Sequence, residues 1–333
     1  MNNIGYYLTM CIFPLICAFG VTALLGPVTI PFLHKLKFGQ EIRDEGPSWH
    51  KKKSGTPTMG GLMFIIGIAV SVIASYVMAA LKGKADNTLL LMLSVSAGFG
   101  LVGFIDDYIK VVKKRNLGLR AWQKMLMQIF FTAMYMVVSG CMGDFKPEIL
   151  IPFTDIVWTI PAPIYVVFVL FVVTGTVNAV NLTDGLDGLA ASITVVVMLF
   201  FCICYALAEK LGGAVFAAAC AGGLVGFLIF NKYPAKVFMG DTGSLFLGGA
   251  AAVLALSLKM PLFIVIAGFV YFMETLSVII QVTSFKLTGK RVFKISPIHH
   301  HFEMCGWNEV KIVTVFSAVT VVLCIVALLG FKL

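Results

Sequence analysis

The sequence predicts an all-α polytopic membrane protein of about ten transmembrane helices, and three observations lead there. Of its 333 residues 59% are hydrophobic and 12% charged, with a mean hydropathy of +0.98; soluble domains carry about twice that share of charge. The apolar residues fall into ten runs, most of them close to the roughly 20 residues a helix needs to cross a bilayer core. The Lys and Arg residues collect in alternate loops, as the positive-inside rule requires of a chain that crosses at every run.

In chain order the runs are 6–33, 59–81, 88–105, 125–142, 160–180, 186–207, 214–230, 245–258, 261–282 and 311–329. The first has no basic residue ahead of it, Lys35 being the earliest, so it reads as a helix and not as a secretory leader. The third and eighth are short. Loops after runs 1, 3, 5, 7 and 9, with the adjoining helix ends, hold 19 of the 25 Lys and Arg. The other side holds Lys82, Lys84, Lys146, Lys210, Lys259 and Lys332. This bias puts the odd loops in the cytoplasm and both termini outside. An odd number of missed helices would destroy the alternation. No repeat or soluble segment interrupts the pattern, so residues 1–333 are expected to form one integral-membrane domain. The eight cysteines show neither metal-ligand spacing nor a disulfide framework and read as packing residues.

Function is sought where polar residues break the apolar pattern. In GFIDDYIK, Asp106 and Asp107 end the third run, followed by Lys110. Positive-inside flanking accounts for the Lys. It does not account for carboxylates beside hydrocarbon, which are costly and tend to mark a site. Neighbours on a helix point about 100° apart, so the two acids are expected to differ in role. In NLTDGLDGLA, Asp184 and Asp187 are three apart and would share a helix face, with Asn181 and Thr183 just before them. A capped turn is the plain alternative, but a turn does not need both acids. In VFMGDTGS, Asp241 opens the eighth run after Gly240. It is either a cap or a ligand for Mg²⁺, which takes a carboxylate or two plus phosphate oxygens.

In PIHHHFE, His299, His300 and His301 are consecutive. Three successive residues cannot all face one metal, so zinc is not expected. Imidazoles can instead meet phosphate or carry protons. In HKKKSGTPTMGG, three lysines precede a Gly-Thr-Pro-Thr turn and could neutralise phosphate. All five stretches fall on one side of the membrane. Carboxylates for a metal, lysines for phosphate charge and free helix N-termini together suit a magnesium diphosphate at the bilayer edge, with a lipid as one substrate. No Walker-type phosphate loop is present. Glu274 stands apart within the ninth run, where charge is expensive. It is either buried and paired or faces a groove, and that helix is expected to break near it.

Taken in order, GTPTMGG, GFIDDYIK, NLTDGLDGLA, VFMGDTGS and PIHHHFE resemble the phospho-N-acetylmuramoyl-pentapeptide transferase family, over essentially the whole chain. The family lies within the polyprenyl-phosphate N-acetylhexosamine-1-phosphate transferases. The resemblance implies a ten-helix homodimer in the bacterial cytoplasmic membrane with a cytoplasmic cleft. It implies transfer of phospho-N-acetylmuramoyl-pentapeptide from its UDP-sugar to undecaprenyl phosphate, giving lipid I and UMP with Mg²⁺ as cofactor and no nucleic-acid partner. It implies Asp241 as Mg²⁺ ligand, Asp106 as base or nucleophile and Asp107 as its partner at the metal. Phe238 would stack on uracil, with Lys53 and Asp187 in the nucleoside pocket. Thr58, Asn181, Asp184 and Gly240 match positions contacted by nucleoside inhibitors. His300 with His299, His301 and Gln281 would surround the diphosphate and sugar, and Lys124 and Asn231 would complete the cleft. Two other readings are a transferase of N-acetylglucosamine-1-phosphate and a transporter. A transporter would carry its polar site near the midplane, whereas these acids gather at one face.

Overall fold

The computed structural model of the chain describes residues 3–35, 55–112 and 118–331. Its elements run α1 (Asn3–Lys35), α2 (Gly61–Ala80), α3 (Asn87–Val112), α4 (Ala121–Cys141), β1 (Glu148–Leu150), β2 (Val157–Thr159), α5 (Ala162–Thr183), α6 (Leu189–Leu207), α7 (Leu211–Asn231), α8 (Gly240–Ser257), α9 (Phe263–Ala267), α10 (Phe269–Thr288), α11 (Ile298–Met304) and α12 (Glu309–Leu329). Among the described residues nine helices are long and apolar enough to cross a membrane. The ninth run appears as α9 and α10, interrupted at Gly268. That position admits no side chain, since a Cβ would lie 2.8 Å from Ile264 O and 2.9 Å from the Tyr271 ring. The break therefore comes six residues before Glu274 and not beside it.

α7 and α8 form the buried centre and α1, α4 and α12 present most of their surface outward. Composition explains the ranking. α7 reads LGGAVFAAACAGGLVGFLIFN, and small residues let helix backbones approach closely where lipid gives little hydrophobic drive for association. A Cβ on Gly222 would lie 2.0 Å from Leu15 O of α1, and one on Gly248 of α8 would lie 2.5 Å from Val177 Cα of α5. Several polar groups inside the bundle find partners within it, as hydrocarbon favours: Ser71 donates to Pro14 O at 2.7 Å, and Thr194 pairs with Tyr271 Oη at 2.7 Å.

The loops sort into two ends. At one end, Asp86 accepts from the backbone N–H groups of Thr88 and Gly212, Tyr135 meets Ser257, Lys259 pairs with Glu148, and β1 and β2 form a small antiparallel hairpin with Glu148 opposite Thr159. The other end gathers all the polar motifs that fall on described residues. Strand-like pairing also occurs there: Phe238 N donates to Pro57 O, and Gly60 N donates to Phe238 O.

Two local expectations are corrected. α3 runs on to Val112, so Asp106 and Asp107 lie inside the helix and not at its end. The polar residues extend the helix because its backbone bonds are internal whatever the side chains are. Asp184 and Asp187 do not share a helix face. α5 stops at Thr183 and α6 starts at Leu189, and the intervening turn needs Gly188 at φ +76°, a conformation only glycine adopts readily. The histidine run forms the short helix α11.

Candidate active site

The centre is built by helix ends. α3 brings Asp106 and Asp107, the first turn of α8 brings Asp241, α4 brings Lys124 and the last turn of α5 brings Asn181. One ligand oxygen from each of Asp106, Asp107 and Asp241 lies within 4.8 Å of the others. Asp106 and Asp107 are buried, and the Asp241 side chain is 16% exposed.

Each acid is held differently. Asp106 Oδ1 accepts from Leu119 N at 2.7 Å, and its Oδ2 lies 2.6 Å from Lys110 Nζ and 3.0 Å from Lys124 Nζ. Gly118 leaves room for that carboxylate, since a Cβ there would lie 2.4 Å from Asp106 Oδ1. Asp107 caps α8 from across the interface: Oδ1 accepts from Asp241 N at 3.2 Å, and Oδ2 accepts from Thr242 N at 2.9 Å and Thr242 Oγ1 at 2.7 Å. Because Asp107 takes the free N–H groups of the helix start, Asp241 need not cap. Its Oδ1 accepts from Asn181 Nδ2 at 2.9 Å; its Oδ2 accepts from Lys124 Nζ at 2.6 Å and Lys110 Nζ at 3.1 Å. Asn181 also reaches Ser244 Oγ at 2.8 Å. Gly240, at φ +69°, is bracketed by Asp107 and Thr58, to which a Cβ would come within 2.5 and 2.8 Å.

The structure thus unites Asp106, Asp107, Asp241, Lys124, Asn181, Thr58 and Gly240. Half-buried Asp184 lies beside them in the turn after α5. Burial first, and then the charges of Asp241, Asp107 and Asp187, push its carboxyl well above the usual carboxylate range. Phe238 is half-buried on the strand-like segment next to Pro57. Lys53 lies outside the described residues.

Other expected site residues are engaged with the protein itself. Asp187 Oδ2 accepts from Ala235 N at 2.9 Å. Asn231 accepts from Gly188 N at 3.1 Å and donates to Val237 O at 2.9 Å, which ties the 184–188 turn to the loop after α7. Gln281 holds the segment before α11, accepting from Val292 N and Phe293 N and donating to Phe293 O, each at 3.0 Å. His301 Nδ1 accepts from Lys294 N at 3.1 Å. His300 Nδ1 lies 2.6 Å from Glu303, and His299 Nδ1 lies 2.9 Å from Glu274. The three imidazoles take three different partners.

Sequence reading missed Lys110, treated there as flanking charge. The signal was present: it stands three and four residues after Asp107 and Asp106, so any helix continuing past residue 107 brings all three to one face. Thr242 and Ser244 were also passed over, because nothing in the sequence says which helix they will meet.

The family described as Glycosyl transferase family 4 matches residues 89–259, which carry the acids of α3 and α8 and of the turn after α5. A signature described as Phospho-N-acetylmuramoyl-pentapeptide-transferase signature 1 matches residues 53–65. A protein of that name from Clostridium beijerinckii is 52% identical over 316 residues, 94% of each chain. The chain belongs to the phospho-N-acetylmuramoyl-pentapeptide transferase family. Relatives of the same name in Acetivibrio thermocellus, 48% identical over 99% of this chain and 98% of theirs, and in Alkaliphilus metalliredigens, 49% identical over 96% and 98%, span the full length too. The chain is accordingly a multi-pass membrane enzyme that transfers a phospho-sugar.

Proposed function

We propose that the chain transfers phospho-N-acetylmuramoyl-pentapeptide from its UDP-sugar to undecaprenyl phosphate, giving lipid I and UMP. The observation that carries this reading is the carboxylate centre Asp106–Asp107–Asp241, bridged by Lys110 and Lys124 at the rim of a membrane bundle. Relatives about half identical over nearly the full chain are named for this activity.

Release of UMP means that the bond between the two phosphates of the donor breaks while an oxygen of the lipid phosphate bonds to the distal phosphorus. Such transfer depends on positioning and on neutralising phosphate charge. Three clustered carboxylates are hard oxygen donors and fit Mg²⁺; Asp241, the acid not committed to a cap, would hold it with Asp106. When bound, the ion would neutralise charge on the diphosphate. Lys110 and Lys124 are placed to turn from the carboxylates to phosphate oxygens. Asn181 and Ser244 keep Asp241 oriented, and Asp107 keeps the first turn of α8 in register with α3. Thr58 and the Gly240 backbone offer a surface for the nucleotide, with Phe238 as a stacking face for uracil. The bias of Lys and Arg supports a site facing the cytoplasm, where a nucleotide sugar is available.

The test is UMP release by purified protein in detergent with undecaprenyl phosphate and Mg²⁺. UDP-N-acetylmuramoyl-pentapeptide and UDP-N-acetylglucosamine are supplied in parallel, with Asp241→Ala as control. Release with the muramoyl donor alone, lost in the variant, is expected. Release with UDP-N-acetylglucosamine alone would reassign the donor, and release with neither would refute the reading.

A further inference from the structure

Glu274 and His299 form a buried pair at the contact of α10 and α11, with 0% and 1% exposure. A lone carboxylate inside a membrane bundle is costly and marks function more often than packing. Glu274 Oε2 lies 2.9 Å from His299 Nδ1 and 3.4 Å from the His299 backbone N. A carboxylate oxygen only accepts, so with Glu274 in its carboxylate form the ring nitrogen facing Oε2 carries a proton. In the neutral ring this leaves a lone pair on Nε2.

That Nε2 is buried without a hydrogen-bond partner among the described residues, and so is Glu274 Oε1. Orphaned buried polar atoms are rare in native proteins, and each calls for an explanation. The His300 ring packs against that of His299 in a tilted contact, 4.1 Å between centroids and 57° between planes, and restrains it. The Nε2 edge faces Gly185, where a Cβ would lie 2.2 Å away. Gly185 is exposed and follows Asp184, so a residue with no side chain stands between Nε2 and the surface beside the carboxylate centre. His300 and His301 do not offer the same arrangement, being engaged with Glu303 and Lys294 N.

We propose that Glu274 is a positioning residue acting through His299. It fixes the proton on Nδ1 and turns the bare Nε2 toward the Gly185 turn, to accept a hydrogen bond from a hydroxyl or amide N–H on the sugar–peptide half of the donor substrate. This rests on the transferase reading above for its substrate, but not for the tautomer.

Two measurements test it. The first compares Glu274→Gln, His299→Gln and the double variant by donor KM, acceptor KM and kcat. An amide at 274 can donate to Nδ1 and no longer fixes the proton there. Each single variant is expected to raise the donor KM about ten-fold, the effect of losing one neutral hydrogen bond, with acceptor KM nearly unchanged. The double variant is expected to be no worse than the poorer single, as for residues acting through one another. Additive losses, or an unchanged donor KM, would overturn the proposal. The second is the ¹⁵N spectrum of histidine-labelled wild type, with His299 assigned by its loss in His299→Gln. A protonated Nδ1 and bare Nε2 are expected; a proton on Nε2 would overturn the assignment, even if Glu274→Gln fails to fold. Absence of UMP release from wild type would sink the transferase reading and leave this second measurement intact.

Discussion

Asp107 uses both oxygens on the first turn of α8, whereas Asp241 gives its oxygens to Asn181, Lys110 and Lys124. The two acids should therefore respond differently to removal. Asp241→Ala is expected to lower kcat about 100-fold or more, the scale of losing a central electrostatic group, with little change in melting temperature. Asp107→Ala strands N–H donors of a buried helix start and should cost about 1–3 kcal/mol of stability. Thermal unfolding in detergent compares them; a larger loss in the Asp241 variant would contradict these roles. Asp184 supplies a pH signature. Its carboxyl is raised well above the ordinary range by burial and then by Asp241 and Asp107. The folded state thus holds a proton that the unfolded chain releases, and stability falls as pH rises from the ordinary carboxylate range through the raised value. In metal-free protein Asp184→Asn should flatten that fall, and unfolding followed from pH 4 to 8 would expose an unchanged slope. The types of these residues were legible in the sequence. Which acid caps and which stays free was not, because Asp107 and Asp241 are far apart in sequence and the choice follows from how α3 meets α8.

At the scale of elements, the centre depends on where helices stop. α3 continues past its acids and carries Lys110 onto their face, while α5 ends at Thr183 and leaves Asp184 and Asp187 in a turn. Hydropathy placed the apolar spans well, since burial in lipid needs length and apolarity. It placed their polar ends poorly, because a helix inside a bundle can extend through polar residues when other helices satisfy them, as Lys124 of α4 does for Asp106 and the first turn of α8 does for Asp107. Close approach of α1 to α7 sets the packing around this frame. Gly222→Val should force the two apart, since even a Cβ would come within 2.0 Å of Leu15 O. Overpacking of this kind costs about 1–3 kcal/mol, read as a lower melting temperature, and a variant as stable as wild type would show that the contact can relax.

For the whole molecule, two exposed cysteines report sidedness. Cys141 ends α4 at the hairpin end, and Cys305 follows α11 at the site end. If the site faces the cytoplasm, an impermeant thiol reagent added to intact cells stripped of wall should label Cys141 at once and Cys305 only after permeabilisation. The reverse pattern would invert the topology. The sequence by itself determined the class of fold, the alternation of loops and the identity of nearly every polar residue in the centre, because these follow from composition, period and charge bias. The tertiary structure alone decided which of those residues meet. It recruited Lys110 and Lys124 to the carboxylates, paired Glu274 with His299, and used Gln281, Asn231 and Asp187 to hold loops. Such choices depend on distances between segments remote in sequence, and local pattern carries no information about them.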